Sequence, residues 1–222
     1  MKTTINYPTL VAITGGSGSG KSWLAKRLVR EFGKNAMSFS LDNFYRDQSG
    51  LSEEDRKCVN FDLPTAIEWT FFKKTLRTCA RRNLFNLPQY DFKKHCRCLQ
   101  EVKCEPPSIV IVDGLWLLHR PDVRRMFDLT LFLDCPEDLR MHRRIYRDVE
   151  ERGKPLPTSW QDFHQTVNAM HSVYVAPQKS HAHRIVQCPF GESEITSLQQ
   201  SILEARAGNT FESASPYDIH SL

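Results

Sequence analysis

Residues Gly15-Gly16-Ser17-Gly18-Ser19-Gly20-Lys21-Ser22 complete the pattern G-x-x-x-x-G-K-[ST]. The apolar run Leu10-Val11-Ala12-Ile13 leads into them, and Leu24, Leu28 and Phe32 follow at helical spacing. A buried strand, a glycine-rich turn and a helix in that order make a phosphate-binding loop. Glycines let the backbone curl until several N–H groups converge on one anion. The helix N-terminus behind the loop adds partial positive charge. In this chemistry Lys21 is expected to reach the outer phosphates of ATP, and the Ser22 hydroxyl to ligate Mg²⁺.

Outward from the loop, short apolar strands alternate with amphipathic helices. Strands are expected at 9–14, 36–41, 109–113, 129–133 and 183–186. Helices are expected after the loop, from Pro64 through Leu76, at 136–151, at 159–176 and at 194–206. Such alternation implies an α/β fold with a mainly parallel central sheet covered on both faces. The stretch 84–104 reads differently: two short strands, 87–90 and 99–103, flank a polar turn and form a protruding β-hairpin. One domain over 1–206 is expected, followed by a poorly ordered tail, 207–222, where Gly, Asn, Ser and Pro dominate.

Composition narrows the function classes. The chain has 222 residues, 40% hydrophobic and 25% charged, as in ordinary globular proteins. A net charge of +4 is too mild to argue for nucleic-acid binding. No apolar run approaches the roughly 20 residues of a membrane span, and residues 1–8 hold no signal-peptide apolar core. The seven cysteines are odd in number, lack any C-x-x-C pair and read as reduced thiols, which points to a cytoplasmic protein. His181 and His183 form H-x-H and read as ordinary residues after a helix.

Four further features carry chemistry. Asp42 ends the second strand, where open α/β sheets place their sites; its carboxylate is suited to accept the proton of an attacking hydroxyl or to orient Mg²⁺ through water. Asp113 ends the buried run Ile109–Val112 and is expected to face the metal opposite Ser22. Arg140, Arg143, Arg144 and Arg147, continued by Arg152 and Lys154, enrich the region 136–157 in positive charge. Arg140, Arg144 and Arg147 are spaced to share a face opposite an apolar side of Leu139, His142, Ile145, Tyr146 and Val149. That face reads as a lid neutralising charge on a transferred phosphoryl group. Finally, Phe61-Asp62 with Tyr90, Phe92, His95 and Arg97 combine aromatic faces with a carboxylate, a set that suits a sugar and a flat base.

These pieces, in order, resemble the uridine kinase (uridine–cytidine kinase) family within the phosphoribulokinase/uridine kinase group of P-loop kinases. The resemblance covers about residues 9 to 190. It is carried by the loop Gly15–Ser22, Asp42-Asn43-Phe44-Tyr45-Arg46-Asp47-Gln48-Ser49, Asn60-Phe61-Asp62-Leu63-Pro64, and Pro88-Gln89-Tyr90-Asp91-Phe92 with His95 and Arg97. Asp113-Gly114, Arg143-Arg144-Ile145-Tyr146-Arg147-Asp148 and Glu151-Arg152-Gly153 complete it. It implies a three-layer P-loop kinase fold and transfer of the γ-phosphoryl group of Mg·ATP to the 5′-hydroxyl of uridine or cytidine. It further implies Asp42 as general base, Asp62 on the ribose hydroxyls, and Tyr90 and His95 on the pyrimidine edge. Tyr45, Phe61 and Phe92 would enclose the nucleoside, while Arg143, Arg144, Arg147 and Arg152 would meet phosphates or substrate from the lid. Members are often homo-tetramers. Asp113 stands where the family usually has glutamate, Lys154 where arginine is common, and Asp162 near a usual glutamine; 167–183 also departs from the usual sequence. Two alternatives stay open: a kinase for another small acceptor such as nicotinamide riboside, ribulose 5-phosphate or pantothenate, or a non-catalytic nucleotide-binding regulator.

Overall fold

The computed structural model describes residues 7–57 and 59–211. Strand β1 (Thr9–Gly15) passes through the phosphate loop into α1 (Lys21–Phe32) and β2 (Ala36–Ser40). A short α2 (Glu53–Lys57) and α3 (Trp69–Ala80) precede the hairpin of β3 (Phe85–Asp91) and β4 (Cys96–Cys104). Then come β5 (Ile109–Gly114), α4 (Pro121–Arg124), β6 (Leu129–Asp134), α5 (Glu137–Glu150), α6 (Leu156–Asp162), α7 (Asn168–Met170), β7 (Arg184–Gln187) and α8 (Glu192–Arg206). The expected tail begins where α8 ends, and residues 212–222 of it lie outside the described residues.

The central sheet has the order β2-β5-β1-β6-β7, and every pairing in it is parallel. β1 and β5 are buried at every position, as strands covered on both faces must be. Alternation along β1 divides the core. Val11 and Ile13 face Leu24, Leu28, Ile195, Leu198 and Ile202 of α1 and α8. Leu10 and Ala12 belong to the cluster with Phe39, Phe72 and Leu76 on the α3 side. Parallel strands all end at one edge, so Gly15, Ser40 and Asp113 arrive together at the C-terminal rim.

Three elements differ from the sequence expectation. Pro64 opens only a 3₁₀ turn (Pro64–Ala66); Ile67 is then extended and bridges Tyr45, so α3 starts at Trp69. The hairpin strands are longer than expected because edge residues of mixed polarity still pair, and Pro88 sits beside a register shift. The expected helix at 159–176 begins at Leu156 and contains two π-helical stretches, Phe163–Val167 and His171–Val175. Pro155 and Pro157 therefore open this helix as well as ending the previous one. Among the described residues no helix is long and apolar enough to cross a membrane. Cys79, Cys96, Cys98, Cys104, Cys135 and Cys188 are free thiols.

Candidate active site

The loop after β1 has the backbone its glycines allow. Gly15, Gly18 and Gly20 have φ of 147°, 80° and 95°. A Cβ on Gly18 would lie 2.2 Å from the Arg140 carbonyl oxygen, so α5 rests directly on the loop. Lys21 Nζ donates to the Gly16 carbonyl at 2.8 Å. Burial pushes Lys21 down to about 8, opposed by the charges of Asp42 and Asp113. The Ser19 hydroxyl is buried without a partner. A curled, donor-rich cradle with a half-buried cation and an unpaired hydroxyl fits a polyphosphate.

Beside it, Ser22 Oγ donates to Asp113 Oδ1 at 2.8 Å. Ser40 Oγ bridges the same carboxylate at 3.3 Å and accepts from the Asp42 N–H at 3.2 Å. Burial and the neighbouring Asp42 raise Asp113 to about 6. Hydroxyl and carboxylate oxygens side by side are the hard donors that Mg²⁺ prefers. Gly114 allows this closeness, since a Cβ there would meet Leu41 Cβ at 2.5 Å. Asp42 follows Leu41 in a 3₁₀ turn (Leu41–Phe44), and its Oδ1 is buried with no hydrogen-bond partner. It lies near enough to Lys21, Asp113 and Tyr45 to shift all three.

The arginines expected to form a lid converge on the same rim. Arg144 Nη1 donates to Ser17 Oγ at 2.7 Å and stands 3.6 Å from Asp62 Oδ1, while its Nε bonds Asp148 at 2.7 Å. One guanidinium thus joins the phosphate loop, the expected ribose carboxylate and the lid helix. Asp148 also pairs with Arg147 at 3.2 Å and Arg152 at 3.5 Å. Burial opposes its charge, but the arginines hold it below the usual carboxylate range.

The chain as a whole is similar to known proteins. The model of the Phosphoribulokinase / Uridine kinase family fits residues 10–192. The chain belongs to that family. It is 36% identical over 180 residues to a uridine kinase of Clostridium perfringens, covering 81% of this chain and 86% of that one. With a uridine kinase of Alkaliphilus metalliredigens the identity is 37% over 183 residues, 82% of this chain and 88% of the other. Its fold is similar to a putative fructose transport system kinase from Silicibacter sp. (TM-score 0.67, 19% identity, 84% of this chain and 93% of that one). It is also similar to phosphoribulokinase from Rhodobacter spheroides (TM-score 0.59, 16% identity, 82% and 70%). The protein is a P-loop kinase of the uridine kinase family, a phosphotransferase.

The residues expected to meet the acceptor form one aromatic cluster. Tyr45 packs edge-on against Phe61 at 5.4 Å and near Tyr90 at 5.5 Å, and its hydroxyl donates to the Phe61 carbonyl at 3.0 Å. Tyr90 neighbours Phe92 at 5.4 Å, and its own hydroxyl is buried without a partner. His95 stacks on Phe61 at 4.6 Å and 14°, on a left-handed backbone (φ 54°) at the hairpin turn. Burial, with Arg152 and Lys154 nearby, lowers its pKa and keeps the ring neutral. Arg152 lies over Phe92 at 5.2 Å.

Two readings of these side chains need correction. Arg97 does not join the acceptor cluster: it donates to the Tyr45 carbonyl and Glu68, both at 2.9 Å, and sits over Phe71, clamping the hairpin to the α3 side. The expected apolar side of α5 is not its buried side. Arg140 and Asp148 are buried, whereas Tyr146 is 68% exposed. The helix turns its polar face inward because the phosphate loop, not the apolar core, is what it covers.

Some residues around the site escaped the sequence reading. Trp23, Cys188, Pro189 and Phe190 join Ser19, Gly20 and Arg143 around a cleft of about 350 Å³ beside the loop. The one available signal was Trp23, a large aromatic immediately after the loop, where α1 leaves it 55% exposed. Lys154 and Asp162, both departures from the usual family residues, form an ion pair with each other. Among the described residues no group of three or more His, Cys, Asp or Glu is placed to hold a metal ion.

Proposed function

We propose that this kinase transfers the γ-phosphoryl group of ATP to the 5′-hydroxyl of a pyrimidine nucleoside, uridine or cytidine. The observation that carries the reading is the unpartnered, buried Oδ1 of Asp42, set between the phosphate loop and an aromatic cluster bearing a second carboxylate, Asp62. A sensor of ATP alone has no use for that second half. Mg·ATP would supply the phosphoryl group, with Ser22 and Asp113 on the metal and Gly15–Ser22 on the phosphates. Trp23, Phe190 and Arg143 offer two apolar faces and a cation for its base in the adjoining cleft.

Asp42 receives the proton of the attacking hydroxyl. Asp62 holds the ribose hydroxyls, releasing Arg144 from its 3.6 Å contact toward the phosphates. Tyr90 offers its unpaired hydroxyl, and His95 its neutral ring, to the base edge; Tyr45, Phe61 and Phe92 form the walls. Lys21, Arg147 and Arg152 neutralise charge developing on the transferred group. Asp148, paired with three arginines, holds them over the loop.

The experiment is ADP release from Mg·ATP with and without each member of a nucleoside and sugar-phosphate panel. Release that depends on uridine or cytidine supports the reading. Release driven best by another acceptor overturns the pyrimidine assignment, and release independent of any acceptor overturns the kinase mechanism.

A further inference from the structure

His171 has no part in the chemistry described so far, yet it touches the phosphate loop. It opens the π-helical stretch His171–Val175, separated by three residues from the stretch Phe163–Val167. Wide turns of this kind re-aim side chains and recur at functional sites. A Cβ built on Gly16 would lie 2.8 Å from His171 Nδ1 and 3.0 Å from Arg140 Nη1, so both nitrogens press on one point of the cradle. Both are shielded from solvent, and neither has a hydrogen-bond partner in the protein. Buried nitrogens are rarely left unpaired, because they lose their water and gain nothing. Two that converge on a phosphate loop are satisfied together by one anionic oxygen.

The ring's surroundings fix its state. Burial, with the charges of Arg140 and Lys21, pushes His171 down to about 4, against the pull of Asp134. At neutral pH the imidazole is uncharged and carries one N–H. It lines a small cavity with Ser17, Asp62, Met170 and Trp116, which places it between the phosphate loop and the acceptor carboxylate. In the proposed kinase reaction, that seam would border the outermost phosphate.

We propose that His171 is a ligand of the terminal phosphoryl group, donating Nδ1–H to a non-bridging oxygen beside Arg140 Nη1. The assignment deepens the kinase reading and rests on it. It gives the helix after the lid a direct contact with the group being transferred. A neutral donor orients that group without adding to the positive charge already supplied by Lys21 and the arginines.

Calorimetric titration of the full-length protein with Mg²⁺ and either a non-hydrolysable ATP analogue or ADP tests this without an acceptor. H171F keeps a ring against Gly16 but has no N–H; H171N keeps a donor near the place of Nδ1. H171F is expected to weaken analogue binding about tenfold or more while leaving ADP binding within about twofold, and H171N to stay within about threefold of wild type for both. Equal losses for analogue and ADP, no loss in H171F, or H171N falling as far as H171F would each overturn the proposal in favour of packing alone. Thermal unfolding checks that the variants fold, and H171L replaces H171F if that ring is not accommodated. Failure of the wild-type protein to bind either nucleotide would instead sink the kinase reading itself.

Discussion

The proposed reaction rests on one atom, Asp42 Oδ1, which is buried with no hydrogen-bond partner. The residue's N–H is fixed by Ser40 Oγ, and its turn is pressed onto Gly114 through Leu41. Asp42→Asn is expected to lower turnover by roughly 10²–10⁴-fold with little loss of ATP affinity, measured by steady-state kinetics beside calorimetry. Gly18 is equally constrained. Gly18→Ala must adopt φ near 80° and places a methyl 2.2 Å from the Arg140 carbonyl. The strained backbone alone costs about 1–2 kcal/mol, and moving α5 off the loop should weaken nucleotide binding about tenfold or more, read by titration. The residues legible in the sequence were those whose neighbours along the chain announce them: Lys21 and Ser22 after the glycines, Asp42 and Asp113 after apolar strands. His171 and Phe190 were not, because each meets the loop only through tertiary packing, from more than a hundred residues away.

Helix α5 shows what periodicity cannot tell. The spacing of Arg140, Arg144 and Arg147 was legible, and so was the helix, but which side faces inward depends on the partner surface. Here that partner is a phosphate cradle, so charge is buried and Tyr146 is left in solvent. The cost of burying Asp148 is offset by Arg144, Arg147 and Arg152, which hold its pKa below the ordinary value of about 3.9. A depressed carboxylate stabilises the fold fully above its unfolded pKa and ceases to do so as pH falls through the folded one. Asp148→Asn should therefore destabilise the protein by about 3 kcal/mol at pH 7, and the gap to wild type should narrow as pH drops below about 4, followed by chemical denaturation at each pH. A gap independent of pH would mean that Asp148 acts through shape alone. The two π-helical stretches were not expected from the sequence, which read as one regular helix over 159–176.

Across the whole molecule, the parallel sheet and its order serve to bring Gly15, Ser40 and Asp113 to one rim, and the alternation of strands and helices made that architecture readable. The hairpin and α3 then set the distance between the rim and the cluster of Tyr45, Phe61 and Tyr90 through an aromatic core. Phe72 is fully buried and packs edge-on against Phe44 at 5.1 Å, on the turn that carries Asp42. Phe72→Ala should cost about 3–5 kcal/mol in urea unfolding and lower turnover as well, because that turn loses its backing. The central claim is that donor and acceptor meet across this rim with Asp42 beside the incoming hydroxyl. Its most direct measurement is the product formed from Mg·ATP and uridine, identified by mass and by phosphorus–proton NMR coupling. The account predicts uridine 5′-monophosphate, formed one for one with ADP; ADP without a phosphorylated nucleoside, or a phosphate at another position of the ribose, would contradict it.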